Sequence, residues 1–463
     1  MMESADLVVR GGVVVTMDPQ RRLIRDGAIA IRGKRILAVD KATAIAERYS
    51  AAKALGSSRD IVFPGLIDCH NHPVHFLSKG MIDDMRYPAR WQERVWPYEA
   101  TLTAEETMVS STGTFLEMIK NGTTCFCDPG TLEPEAVAKA AERTGIRGIV
   151  ARMTWDVPDA AAPSKFNDDT ATALARGEEC VQRCAGLADG RVNAWFSLVR
   201  ADHVSDSLIR DIKRRADALG VGIHAHLSTT RGQVEAAIRQ WGKTPVARYR
   251  DLGAIGPNMH LVHMGAITDD DVTILQEFDP SVCHCPSASM FGGFGCIAHG
   301  KFPELVENGV RVVLGSDACA VSRFIDMVRI MYLAACAHKD VKADPTVIGA
   351  HKAMEMGTID GAKALMLDHE IGSLETGKLA DIVIADAGSM EWQPNPMELP
   401  VANLIYSGSG GCVRTVVIDG RVVMEERCFT LVDEAEYVAR AGKCANQIYT
   451  RLAIQPRVVW PVG

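Results

Sequence analysis

Five apolar runs in the central part of this 463-residue chain end on an imidazole or a carboxylate, and that recurrence narrows the folds open to it. Eight runs there have the length and make-up of strands: 62–72, 124–127, 148–153, 192–199, 222–226, 260–263, 282–284 and 312–317. Helical patterns separate them. Thr103-Ala-Glu-Glu106 is a capping box ahead of Met108 to Lys120, and Gly122 and Gly145 read as helix stops. Ser205 to Leu219 and Thr268 to Phe278 open on capping residues. Strands that alternate with helices run parallel, because a parallel pair needs a crossover, and eight of them predict a (β/α)8 barrel. Such a barrel takes about 250 residues. Short β-segments occupy both chain ends: Leu7 to Thr16, Gly27 to Arg32 and Ile36 to Val39, then Asp381 to Ala385 and Val413 to Met424.

Barrel enzymes carry their chemistry at the C-terminal ends of the strands, where the polar residues fall here. Asp68-Cys-His70-Asn-His72 puts two imidazoles on one side of a strand, a spacing that can grip one metal ion. Gly222-Ile-His-Ala-His226 repeats the pattern; His226 lies nearer the mouth, and His224 reads as a hydrogen-bonded histidine lower down. His260 and His263 are three apart and are expected on opposite sides of their strand, with His263 looking inward and His260 structural. His284 and Asp317 complete the set. A carboxylate after the apolar run Val312-Val-Leu-Gly-Ser needs a partner, since a lone buried carboxylate costs several kcal/mol.

Composition excludes other classes. A net charge of −8 without basic runs argues against nucleic-acid and anionic membrane partners. No apolar run reaches about 18 residues, and Met1 to Asp18 does not read as a signal peptide. Thirteen cysteines, an odd number without framework spacing, point to a cytoplasmic protein. Cys125-Phe-Cys127 and Cys283-His-Cys285 read as small buried hydrophobes rather than zinc ligands, because no CxxC pair matches them.

Pro64-Gly-Leu-Ile-Asp-Cys-His-Asn-His72, His226, His263, His284 and Gly315-Ser-Asp317 together resemble the amidohydrolase superfamily, in the branch of triazine hydrolases and cytosine/adenosine deaminase-like enzymes. Gly372-Ser-Leu-Glu-Thr-Gly-Lys-Leu-Ala-Asp-Ile-Val-Ile-Ala385 resembles that superfamily's return into its small β-domain. The resemblance implies an α/β fold with a (β/α)8 TIM barrel over 62–370 and a small β-sandwich from 1–61 and 371–463. It implies one divalent metal, zinc by default with iron(II), manganese or cobalt compatible, held by His70, His72, His226 and Asp317. It implies His263 and His284 facing water and substrate, and a homodimer or larger homo-oligomer.

Three positions depart from the superfamily's pattern. Its fifth strand usually reads H-x-x-E, where the Glu is a proton donor to a ring nitrogen; here the position is Thr229. Its fourth strand often ends in His; here Arg200 stands there. The motif after His284 usually ends in Asn; here it is Pro286-Ser-Ala-Ser289. A threonine is no acid near neutral pH. The expected reaction is therefore hydrolysis of an amide-like C–N bond, in an amide, urea or (thio)carbamate, with Asp317, His263 and His284 catalytic. Phe76, Trp91, Trp155 and Met290, with Phe291 and Phe294, are expected near the mouth and suit an uncharged small-molecule substrate, contacted also by Arg200 and Thr229. The alternative is an aminohydrolase or chlorohydrolase of an N-heterocycle, with Asp202, His203 or Glu235 as substitute acid. A metal-free scaffold is a further alternative.

Overall fold

A computed structural model describes residues 2–86, 88–455 and 459–461. Eight parallel strands follow one another around a barrel in chain order: β1 (Leu66–Asp68), β2 (Thr123–Cys127), β3 (Arg147–Ala151), β4 (Val192–Leu198), β5 (Ile223–Leu227), β6 (Met259–His263), β7 (Ser281–His284) and β8 (Arg311–Leu314). The first and last strands meet through Cys69 N–H to Leu314 O at 2.9 Å and Asp317 N–H to His70 O at 2.8 Å. β2 and β3 are buried at every residue, as strands covered on both faces must be.

Helices form where the capping signals stand. Thr103 Oγ1 accepts from Glu106 N at 3.2 Å while Glu106 Oε2 accepts from Thr103 N at 2.9 Å, opening the helix Ala104–Lys120. Thr268 and Asp271 cap the helix Asp269–Phe278 in the same reciprocal way, and the Ser205 hydroxyl caps Asp206–Leu219 by accepting from Leu208 N. Among the described residues, no helix is long and apolar enough to cross a membrane.

Both chain ends join one nine-stranded mixed sheet. Asp60–Pro64 from the first end pairs with Ile382–Asp386 from the second, and the apolar cluster on it draws on both, through Val14, Ile29, Ile382 and Val417. The expected first barrel strand over 62–72 is thus two strands: Asp60–Pro64 serves the sheet and Leu66–Asp68 the barrel. Gly65 makes the crossing, because a Cβ there would sit 1.9 Å from Thr124 Oγ1. Under the barrel, buried Arg147 binds Asp381 at 2.9 Å and Asp419 at 3.2 Å, which ties β3 to the returning chain. The final helix, Glu434–Arg451, packs on Ala104–Lys120, with Tyr437 OH donating to Val109 O at 3.1 Å.

Candidate active site

The turns after β1 and β8 are cross-braced from below. Asp68 is fully buried, and burial pushes its carboxyl up to about 7. It accepts from Ser316 N at 2.9 Å, from His70 N at 3.3 Å and from the Ser316 hydroxyl. Asn71 Nδ2 donates to Ser316 Oγ at 2.9 Å and Asp317 O at 2.6 Å. Asp317 itself sits at φ +63°, a conformation disfavoured for a residue with a side chain and held here by these bonds.

Around Asp317 the imidazoles converge. His70 Nε2 lies 3.5 Å and His72 Nε2 3.6 Å from its Oδ1, and His263 Nε2 lies 4.0 Å from Oδ2. The His226 ring is 4.9 Å from that of His70 and 5.4 Å from that of His72. Donor atoms of His70, His72 and His226 lie within 4.8 Å of one another, as do those of His70, His263 and Asp317. His226 Nδ1 donates to Val199 O at 2.7 Å, which leaves its Nε2 as a lone-pair donor. His70 Nε2 is buried with no hydrogen-bond partner. Burial holds His70 and His72 far below the usual imidazole range and His226 down to about 3. Neutral imidazoles and a carboxylate, with one orphaned nitrogen aimed at their centre, fit a divalent cation with a coordination position to spare.

The histidines of β6 differ from the alternation rule. His260 and His263 both point into the barrel, at different depths. His263 has φ +75°, which breaks the strand's alternation at its last residue and returns the side chain to the mouth. His260 lies lower, with Nε2 donating to Cys69 O at 2.9 Å and Nδ1 bonded to Ser281 Oγ at 2.7 Å. His224 also lies low, bonded to His70.

His284 is corrected by the structure: it is not at the mouth. β7 alternates, and its neighbour Cys283 faces Gly315 and His70 inside the barrel. His284 therefore points outward, stacked on Phe302 at 3.8 Å and bonded to His338 Nε2 at 3.1 Å. Phe76 is a second correction. It packs against Tyr437 at 6.0 Å and under Lys79, outside the cavity, because the segment Pro73–Ser78 turns it toward the last helix.

A cavity of about 620 Å³ opens over the imidazoles. Its walls include His72, His226, His263 and Asp317, and the expected Arg200, Thr229, Trp91, Trp155, Met290, Phe291 and Phe294. Sequence reasoning missed Glu99, Trp96 and Arg90. Glu99 lines the cavity and accepts from His75 Nε2 at 2.8 Å; their donor atoms lie within 4.8 Å of that of His72. His75, three residues after His72, was the one available signal. Arg90 donates to Gly292 O at 2.6 Å and lies over Phe294 at 5.2 Å, joining the loops after β1 and β7. Of the substitute acids, Glu235 is on the surface with Arg231 at 2.9 Å, and Asp202 is held by Arg200 at 2.6 Å and by His203 at 3.0 Å.

A (β/α)8 barrel with such a mouth defines a metal-dependent hydrolase. The model of the amidohydrolase family matches residues 61–423, and the chain belongs to that family. It is 32% identical to the 5'-deoxyadenosine deaminase of Methanosarcina mazei over 97% of this chain and 99% of that one. It is 33% identical to the 5-methylthioadenosine/S-adenosylhomocysteine deaminase of Symbiobacterium thermophilum, over 96% of this chain and 99% of that one. The crystal structure of an adenosine deaminase from Xanthomonas campestris with bound zinc superposes with a TM-score of 0.90 at 27% identity, covering 97% of this chain and 100% of that one. The protein is thus an enzyme that hydrolyses carbon–nitrogen bonds other than peptide bonds.

Proposed function

We propose that the enzyme cleaves the C–N bond of a small, largely uncharged amide, urea or (thio)carbamate at its carbonyl carbon. The observation that carries this reading is Thr229 at the cavity wall, where a ring-protonating acid would stand. A purine or triazine carbon gains much from protonation of its ring nitrogen, whereas a carbonyl carbon is already electrophilic. His70, His72, His226 and Asp317 would hold one divalent ion, zinc first, as in the Xanthomonas campestris neighbour. A metal held there would supply a water of lowered pKa and polarisation of the substrate carbonyl.

Asp317 takes the attacking water's proton on a carboxylate oxygen and passes it to the departing nitrogen. His263 faces the same carboxylate. Its Nδ1 is buried without a partner, which favours hydrogen on Nε2, since a bare lone pair costs less than a bare N–H. Nε2–H then donates to the oxygen that gains charge. Trp91, Trp155 and Phe294 supply apolar walls, and Glu99 accepts from a substrate N–H or O–H. Thirteen unpaired thiols suit a reducing cytoplasm, and a homodimer or larger homo-oligomer follows the resemblance.

A second reading, hydrolytic deamination of an aminopurine, is favoured by the names of the relatives. A hydrolysis screen of the metal-loaded enzyme across amides, ureas, carbamates, chlorotriazines and aminopurines separates the two. Faster turnover of an aminopurine than of any carbonyl compound replaces the first reading by the second.

A further inference from the structure

Behind Thr229 the active-site cavity adjoins a second chamber of about 310 Å³. Arg200, His226, Thr229, Thr230 and Gln233 border both spaces. Thr229 and His226, one of the imidazoles clustered around Asp317, therefore stand side by side on the boundary between the two spaces. A short side chain at 229 leaves room beside the reacting bond, and a long one fills it.

We infer that this chamber is the subsite for the substituent on the departing nitrogen, and that it takes an uncharged alkyl or aryl group. This rests on the reading that a carbonyl C–N bond is cleaved. In that reaction water adds to the carbonyl carbon, the C–N bond breaks, and the nitrogen leaves as an amine with the proton that Asp317 carried. The nitrogen's substituent needs space on the side of the site away from the acyl half.

The chamber's chemistry suits such a group. Ala237 and the Trp241 ring form an apolar wall. Asp202 binds Arg200 through both oxygens, at 3.0 and 2.6 Å, so the charges on the opposite wall are matched. The side chains of Gln233 and Gln240 offer hydrogen bonds to one polar atom. The walls are also pre-formed. The Arg248 guanidinium lies 3.9 Å from the centre of the Trp241 ring, and the same side chain bonds Asp206 at 2.9 Å and Ala201 O at 2.6 Å. The helix Arg231–Trp241 is capped by Thr230 Oγ1, which accepts from Gln233 N at 3.3 Å. Such a volume is at the small end for a ligand pocket and holds a phenyl ring or a short alkyl chain.

The test compares kcat/KM for compounds that share an acyl half and leave ammonia, methylamine or aniline. Wild type should prefer aniline over ammonia by about tenfold or more. Ala237→Leu narrows the chamber and should reduce that preference at least about fivefold, through KM, with the ranking of acyl halves unchanged. Ala236→Phe, at an exposed position on the same wall, repeats the test should Ala237→Leu fold poorly. An unaltered preference in both folded variants overturns the subsite. If no carbonyl compound turns over but adenosine is deaminated, the proposed function fails, and the comparison moves to adenosine against its benzylamino analogue. A ratio that both variants leave unchanged overturns the subsite there too.

Discussion

His224 Nε2 lies 3.0 Å from His70 Nδ1, with the two rings stacked at 5.0 Å. The lower imidazole of β5 thus orients an imidazole carried by the turn after β1. With that pair's proton on His70 Nδ1, as a ligand role for Nε2 requires, His70 Nε2 is a bare lone pair facing Asp317. Position 224 is a positioning residue.

Replacing it should weaken the site without emptying it. His224→Ala is expected to lower metal affinity by about 10–100-fold, the usual cost of losing a partner behind a ligand histidine. His224→Gln, which keeps a hydrogen-bonding group, should recover part of it. Competition with a chelator measures both; affinity equal to wild type in His224→Ala refutes the role.

Asp317 is asked both to hold the metal and to move a proton. Asp317→Ala should lose most bound metal and nearly all turnover, and His70→Ala, His72→Ala and His226→Ala most of one or the other. Elemental analysis of the purified variants, read beside activity, checks this. Full metal content with normal turnover in Asp317→Ala would sink the assignment.

The histidines of β6 and β7 should separate by function. His263→Ala should lose about a hundredfold in rate or more, with metal content little changed. His260→Ala leaves Cys69 O unpaired in the barrel and takes from Ser281 Oγ its shorter hydrogen bond, and should cost about 1–3 kcal/mol of stability, seen in Tm. His284→Phe should keep most activity, because that ring packs on Phe302 outside the barrel. A rate loss in His284→Phe as large as in His263→Ala contradicts the orientation of β7.

Acid should destabilise the metal-free protein from near neutral pH downward. Burial pushes both His260 and His338 down to about 4. An unfolded histidine titrates near 6.5, so between those values the unfolded chain binds more protons than the folded one. The contribution is complete above about pH 6.5 and is lost as pH falls toward 4, at most about 3 kcal/mol per group. Tm followed from pH 8 to 4 should fall on that limb, and less steeply in His260→Gln. A flat profile contradicts the neutral, buried state of these rings.

Thr229 distinguishes the two substrate classes. Thr229→Ala should retain activity on a carbonyl substrate to within about tenfold, one hydrogen bond's worth. Thr229→Glu should be harmful, because the new anion would either take the metal's open position or repel the developing oxyanion. Steady-state rates on the best substrate of the screen decide it. A Thr229→Glu enzyme faster than wild type would mean that the reaction wants an acid there.

The barrel, its strand order, the capped helices and the convergence of His70, His72, His226, His263 and Asp317 were legible in the residues. Strand period, crossover need and capping chemistry are local, and polar residues at the ends of apolar runs fall at the mouth of any such barrel. Orientation at strand ends was only partly legible. That His263 looks inward together with His260 turns on one positive φ, and the outward turn of His284 on the parity of a four-residue strand, both set by packing across the barrel. Glu99 belongs to the site although no spacing links it to the histidines, because the segment after β1, with its short helix Trp96–Thr101, is folded back over the mouth. The chamber behind Thr229 is likewise a space between elements, bounded by residues from Arg200 to Pro245, and space left between packed elements has no signature in a linear sequence.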